Sequence, residues 1–245
     1  MSVLLQEKKE GVLVLTMNRP QKHNALNTDL TQQLLDAITG SELDPEVRAL
    51  VLVGQTPSFC AGADTTEFSS LTPQDPTAVQ TRADLTMALH LSFSKISKPV
   101  IAAVTGNALG GGAGLALACD MVVMAEDAKF GYPELKHGIV AAVVLANLVR
   151  QIGPKQAFEL VASATPINGF KAKEYGLVNE VVPAQEVLPR ALALAQTLAS
   201  WSPMAMATTK RTFHRAMDLS LSQALEVGRD ANIMMRGFQK AKSQS

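Results

Sequence analysis

TGNALGGGAGLALACD, residues 105–120, has the pattern of a strand that turns into a helix through a run of glycines. The apolar segment Val100–Val104 precedes it, and a short apolar helix is expected to begin near Gly111 and run through Leu115, Ala116, Leu117 and Ala118. Gly110, Gly111 and Gly112, with Gly114 just beyond, leave backbone N–H groups uncovered at that helix N-terminus. No Cβ keeps a ligand away there, and the positive helix end favours an anion or a developing oxyanion. A turn with glycines for packing alone uses the same letters, so a second signal is needed.

FCAGAD at 59–64 supplies it. This segment also follows an apolar run, 49–53, and also ends in small residues beside a glycine. Two such turns could each aim one N–H at the same carbonyl oxygen, which is what an oxyanion hole requires. At this point the chain resembles the crotonase (enoyl-CoA hydratase/isomerase) superfamily. The matching pieces are Asn18-Arg19-Pro20 with Asn24-Ala25-Leu26, FCAGAD, GNALGGGAGLALACD at 106–120, FGYPELKHGI at 130–139 and YGLVNEVVP at 175–183. They span nearly the whole chain, the last quarter matching least. The resemblance implies a crotonase-like α/β spiral of ββα units over residues 1–185. It also implies a helical C-terminal region over 186–245 for trimerisation, and a homotrimer or dimer of trimers.

Composition sets the outer bounds. The chain of 245 residues is 47% hydrophobic and 18% charged, enough to build one large or two small ordered cores. Lys plus Arg and Asp plus Glu both number 22, so no net charge gathers nucleic acid or acidic membrane. Only Cys60 and Cys119 occur, in small apolar settings, which argues against a disulfide framework and for a reducing, cytoplasmic location. Both are expected to be small buried hydrophobes. The start, MSVLLQEKKEG, lacks a signal-peptide pattern, and no run of about 18 apolar residues is present to span a membrane. The four histidines, at 23, 90, 137 and 214, show no metal spacing, and His137 is read as structural.

Along the chain, residues 12–16 read as a strand, and Asn27 or Thr28 caps a helix through Leu30, Leu34, Leu35 and Ile38 that Gly40 ends. A helix through Leu85, Leu89, Phe93 and Ile96 separates the two glycine turns, and Met121–Ala125 is a further buried strand. Residues 139–149 are almost wholly apolar and are expected in the core or under an interface. Beyond Gly153 the pattern is helical, and Lys210-Arg211 reads as a solvated face.

The resemblance also assigns chemistry. The backbone N–H groups of Ala63 and Gly111 are the two oxyanion donors, and Glu134 is the proton-shuttling carboxylate. Read without the resemblance, Glu134 is equally a carboxylate favoured at a helix N-terminus. An acyl-CoA or enoyl-CoA thioester is the expected partner; coenzyme A belongs to the substrate, and no other cofactor and no metal is implied. It should lie along Lys22, Asn24, Ala25 and Leu26 and along Ala61, Gly62 and Asp64, with Gly110, Gly114 and Pro133 also among the residues that bind the ester. Members of the family often supply a C-terminal Phe and Lys to a neighbour's ligand. Here Phe238 is followed by Ala241 between Lys240 and Lys242, a departure that puts that contact in doubt.

A second departure bears on the reaction. Hydratases of the family carry a second glutamate two residues after the last glycine of GGG, and this chain has Gly114. One carboxylate suffices for a 1,3-proton shift, so Δ3 to Δ2 enoyl-CoA isomerisation in fatty acid metabolism is favoured. Hydration with a second acid from elsewhere, Glu67 being one candidate, and a noncatalytic acyl-CoA-binding homologue are the alternatives. A nicotinamide fold would need G-x-G-x-x-G after the first strand, and a P-loop would need Lys then Ser or Thr after its last glycine, where Ala113 stands.

Overall fold

The computed structural model describes residues 2–242, the side chains of 237–242 excepted. Among the described residues nine strands run in chain order: β1 (Leu4–Lys9), β2 (Val12–Met17), β3 (Ala49–Gly54), β4 (Val100–Val104), β5 (Asn107–Leu109), β6 (Met121–Ala125), β7 (Lys129–Gly131), β8 (Ile167–Asn168) and β9 (Glu180–Val182). The helices are α1 (Thr28–Ser41), α2 (Pro76–Lys95), α3 (Gly111–Ala118), α4 (Leu145–Gln151), α5 (Pro154–Ala162), α6 (Gly169–Glu174), α7 (Val187–Ser200), α8 (Pro203–Ala216) and α9 (Leu221–Lys242).

Six strands form one sheet in the order β1-β2-β3-β4-β6-β9, and β5-β7-β8 form a second. Only the β1/β2 pair of the large sheet is antiparallel. Its turn, Glu10-Gly11, has φ of 49° and 79°, the two positive values that let a tight hairpin follow the sheet's twist. From β2 to β9 the pairs are parallel, with Val14 opposite Val51, Leu52 opposite Ala102 and Ala103 opposite Val123. Every residue of β3 and β4 is buried, as befits strands covered on both faces, and their sequences ALVLVG and VIAAV are accordingly apolar throughout.

The parallel strands deliver the site. β3 leads into FCAGAD, and β4 leads through Gly106 into β5 and then α3. Asn27 caps α1 by accepting the Leu30 N–H at 3.0 Å, and Asp75 caps α2 by accepting that of Ala78 at 3.0 Å, so both flanking helices begin where polar side chains set them.

One reading is met in part and one needs revision. Residues 139–149 are only partly inside: Ala141, Val144 and Leu148 are buried, whereas Val140 and Val149 are exposed. Lys210 is not on a solvated face. It is buried, and its Nζ donates to the Lys98 carbonyl and to Asp120 Oδ2, both at 2.7 Å. Asp120 also accepts the Val100 N–H at 2.8 Å and faces His214 Nε2 at 3.2 Å, which fastens α8 to the end of α3. Beyond residue 185 the helical region begins with a helix that packs on the sheet. α7 lies across β2, β3, β4 and β6 with Val187, Ala191 and Ala195 fully buried. Phe238, Lys240 and Lys242 lie outside the described side chains.

Candidate active site

Two isolated bridges bring the glycine turns together. In the parallel bridge between Leu26 and Ala63, the Leu26 N–H donates to the Gly62 carbonyl at 2.8 Å and the Asp64 N–H to the Leu26 carbonyl at 3.1 Å. The bonds are thus made by the neighbours of Ala63, whose own N–H faces the other way. The second bridge pairs Cys60 with Ala108, through Cys60 N–H to Asn107 O at 2.9 Å and Leu109 N–H to Cys60 O at 3.0 Å. It fixes FCAGAD alongside β5, whose next residues are Gly110 and Gly111.

Gly110 turns the chain into α3 at φ 52°, ψ −117°, a conformation open to glycine, while its N–H donates to the Gly131 carbonyl at 2.8 Å. A Cβ placed on Gly111 would lie 3.6 Å from the Ala63 nitrogen, and one on Gly62 would lie 3.4 Å from the Gly111 nitrogen. The two nitrogens are therefore near neighbours. Gly111 opens the helix, where an N–H has no intrahelical acceptor. Among the described residues neither N–H donates to a protein carbonyl. At Gly112 a Cβ would overlap the Cys60 carbonyl, so this glycine serves close packing of the two turns.

Glu134 enters from β7. It opens the 3-10 turn Glu134–His137, behind the fully buried Tyr132 and beside Pro133. A Cβ on Gly110 would come within 2.7 Å of Glu134 Oε1, so the carboxylate lies against the Gly110–Gly112 turn. Its Oε2 is buried with no hydrogen-bond partner. Burial pushes the carboxyl above the ordinary glutamate range, against smaller pulls from its own backbone N–H and, less, from His137. Both readings of Glu134 hold geometrically, since it is the first residue of a helical turn. The unpartnered oxygen is what a mere N-terminal carboxylate would not show.

The remaining anticipated contacts divide. Lys22 is exposed on the turn Pro20–Lys22, and Ala61 is half-buried with its N–H given to the His23 carbonyl at 3.0 Å. Asn24 is wholly buried. Its Nδ2 donates to the carbonyls of Gln55 and Ser58, both at 2.6 Å, and its Oδ1 accepts the Arg19 N–H at 2.8 Å, so its side chain shapes the loop and has nothing left for a ligand. Asp64 is likewise spent: it pairs with Arg19 at 2.7 Å and accepts the Thr66 N–H at 3.1 Å and the Thr66 hydroxyl at 2.6 Å. Burial raises its pKa, but these bonds outweigh burial and hold the carboxyl down at about 2. Arg19 reaches on to the Ala25 carbonyl at 2.5 Å, so one guanidinium ties the two segments expected to receive coenzyme A.

Glu67 is committed elsewhere. It accepts the Thr28 N–H at 2.9 and 3.0 Å, at the start of α1, and lies 3.5 Å from Arg82 Nε. Gly114 has no room for a side chain in this arrangement, because a Cβ there would meet Val144 Cγ1 at 2.5 Å and His90 Cε1 at 2.8 Å. Three residues near the site had no assigned role from sequence: Arg19, Arg82 and His90. The pairing of Arg19 with Asp64 could have been suspected from two opposite charges inside otherwise apolar motifs. Both cysteines are buried, which pushes the Cys60 thiol up to about 12 and that of Cys119 well above its usual value. They behave as small hydrophobes.

Comparison with known proteins is consistent across sequence and structure. The family model described as enoyl-CoA hydratase/isomerase matches residues 7–245. A 2,3-dehydroadipyl-CoA hydratase of Escherichia coli is 36% identical over 226 residues, covering 92% of this chain and 87% of the relative. A crotonyl-CoA hydratase of Syntrophomonas wolfei is 36% identical over 230 residues, covering 93% and 87%. The crystal structure of an enoyl-CoA hydratase of Mycobacterium smegmatis superposes with a TM-score of 0.90 at 29% identity, covering 95% of this chain and 90% of that one.

Proposed function

The chain belongs to the enoyl-CoA hydratase/isomerase family, and from that premise we propose that it moves the double bond of a 3-enoyl-CoA to the 2-position with Glu134 as sole proton shuttle. The thioester carbonyl accepts the N–H groups of Ala63 and Gly111. As charge moves onto that oxygen, each aimed donor contributes about 2.7–4 kcal/mol. Glu134 takes a proton from C2 to give the enolate and returns it at C4. A carboxyl held above its ordinary range suits this work, since it exchanges protons with a carbon acid more evenly than an ordinary glutamate would.

The observation that carries the reading is that, among the described residues, one free carboxylate lies at the glycine turn. Glu134 Oε2 is buried and unpartnered, Glu67 is bound at the start of α1, and position 114 is a glycine crowded by Val144 and His90. Adding water across a double bond calls for a second group to hold that water. Hydration is nevertheless the second reading, favoured by the activities for which the two relatives are named. Parallel assays of 3-hexenoyl-CoA isomerisation and crotonyl-CoA hydration decide between them: isomerisation well above hydration is expected, and robust hydration by the wild-type protein overturns the assignment. Thioester binding without either turnover would make the chain a noncatalytic acyl-CoA-binding protein.

The family resemblance implies a homotrimer or dimer of trimers as the working unit, and Leu221 and Leu225 on α9, exposed at 78% and 65%, with Ile233 at 65%, leave apolar side chains for a partner subunit to cover. A monomer in light scattering at micromolar concentration would overturn that part.

A further inference from the structure

The peptide between Gly62 and Ala63 is planar, so its C=O and N–H point in opposite directions. The Gly62 carbonyl accepts the Leu26 N–H at 2.8 Å, and the Leu26 carbonyl accepts the Asp64 N–H at 3.1 Å. Leu26 therefore grips the chain on both sides of Ala63, and its position decides where the Ala63 N–H points. Its side chain reaches the other turn as well, since Leu26 Cδ1 would lie 3.2 Å from a Cβ on Gly111.

The Leu26 carbonyl accepts a second bond, from Arg82 Nη2 on α2 at 3.0 Å. The same Nη2 donates to Thr31 Oγ1 on α1 at 3.2 Å, and Nη1 donates to Thr86 Oγ1 at 2.6 Å, one turn along α2. Nε lies 3.5 Å from Glu67 Oε2, and Glu67 accepts the Thr28 N–H at 2.9 Å, two residues past Leu26. One guanidinium, its side chain 14% exposed, thus joins α1, α2 and the turn after FCAGAD around a single backbone carbonyl. A planar fork of five donors can serve that many acceptors, and an ammonium cannot span them. The node is also separate from the packing of its own helix. The buried residues of α2 are Leu89, His90, Ser92 and Phe93, all in its second half, and from 76 to 88 no residue is buried.

We propose that Arg82 is a positioning residue of the oxyanion hole: by holding the Leu26 carbonyl it fixes the segment that aims the Ala63 N–H, an inference that rests on the thioester reading above. Arg82 touches no reacting atom in this role. Its loss should leave the pocket formed and the donor misaimed, which weakens the transition state more than the bound ground state. Glu67 keeps its bond to Thr28 when Arg82 is replaced, and its side chain is 26% exposed, so no carboxylate is stranded in the core.

The test follows [1-¹³C]hexanoyl-CoA bound to wild type, Arg82→Met and Arg82→Lys. A carbonyl carbon moves downfield when its oxygen accepts hydrogen bonds, so its ¹³C shift reads the aim of the donors. The bound carbonyl should lie downfield of free hexanoyl-CoA in wild type and move back toward the free value in Arg82→Met. In 3-hexenoyl-CoA isomerisation Arg82→Met should lose at least ~10-fold in kcat, while hexanoyl-CoA affinity by calorimetry stays within ~3-fold of wild type. Arg82→Lys should fall between the two in both shift and kcat. A wild-type shift in Arg82→Met, with or without a loss of kcat, would overturn the assignment and leave the oxyanion hole standing. Should Arg82→Met fail to fold, Arg82→Lys decides alone, and wild-type shift and kcat there overturn the inference. Hexanoyl-CoA bound to wild type with its carbonyl at the free value overturns both this inference and the oxyanion reading beneath it.

Discussion

Gly110→Ala and Gly111→Ala differ by one methyl at neighbouring positions and should fail in opposite ways. Gly110 has φ 52°, ψ −117°, where an L side chain is strained by about 1–3 kcal/mol. Its new Cβ would also stand 2.7 Å from Glu134 Oε1, well inside ordinary contact, so the carboxylate must shift by several tenths of an ångström. A misplacement approaching 1 Å at a reacting group costs up to about 10²-fold in rate. Gly110→Ala should therefore lower Tm by about 2–12 °C, at roughly 2–4 °C per kcal/mol for a chain of this size, and lower kcat by about 10–10². Gly111 has no positive φ, and its Cβ would meet the flexible Leu26 Cδ1 at 3.2 Å, so folding should be nearly unaffected. That Cβ would also stand 3.6 Å from the Ala63 nitrogen and crowd the donor pair, so Gly111→Ala should lose thioester binding instead. Thermal denaturation monitored by circular dichroism and steady-state kinetics on 3-hexenoyl-CoA read both effects. Wild-type stability and kcat in Gly110→Ala, or a large loss of stability in Gly111→Ala, would refute the geometry assigned to this turn.

Three further outcomes follow from ionisable groups. Glu134 has a raised folded-state pKa, so the native state holds its proton more tightly and stability falls as pH rises from the ordinary glutamate range through the raised value; Glu134→Gln should melt higher than wild type at neutral pH, with the gap closing below pH 4, as differential scanning calorimetry can follow. Asp64 is the opposite case: its contribution is present above the ordinary aspartate range and is lost as pH falls toward about 2, and Arg19→Met, which strands that carboxylate, should cost about 3–5 kcal/mol in urea unfolding at pH 7. Asp120→Ala strands the buried Lys210 ammonium at a similar cost of about 3–5 kcal/mol, and amide exchange should quicken along α8 before it does in β3 and β4.

Much of this architecture was legible in the letters because apolar runs and glycines carry it. VLVLT, ALVLV, VIAAV and MVVMA each became a parallel strand, and the GGG run opened α3 at the expected Gly111. β1 escaped because LLQEKK is an edge strand with five of its six residues outside, so no hydrophobic pattern marks it. The strands of the small sheet are two or three residues long and are set by backbone bridges to distant turns, which local sequence does not encode. The turns that carry Ala63 and Gly111 lie side by side with Glu134 against Gly110, a juxtaposition of segments distant in the chain. Asn24 and Asp64 were legible as site-associated residues but not as internal struts, because a motif shows that a polar residue is required and not which way it points. Lys210 was misread for a related reason: its partner Asp120 is 90 residues away in the chain. His90 gave no signal at all, being one polar letter in a helix otherwise read for its leucines.

The most direct test of the central claim is 3-hexenoyl-CoA isomerisation by wild type and Glu134→Gln, measured alongside calorimetric binding of hexanoyl-CoA to both. If one glutamate shuttles the proton beside an oxyanion hole built from backbone, Glu134→Gln should lose at least ~10² in kcat while its thioester affinity stays near that of wild type. Isomerisation that proceeds at the wild-type rate in Glu134→Gln would contradict the account.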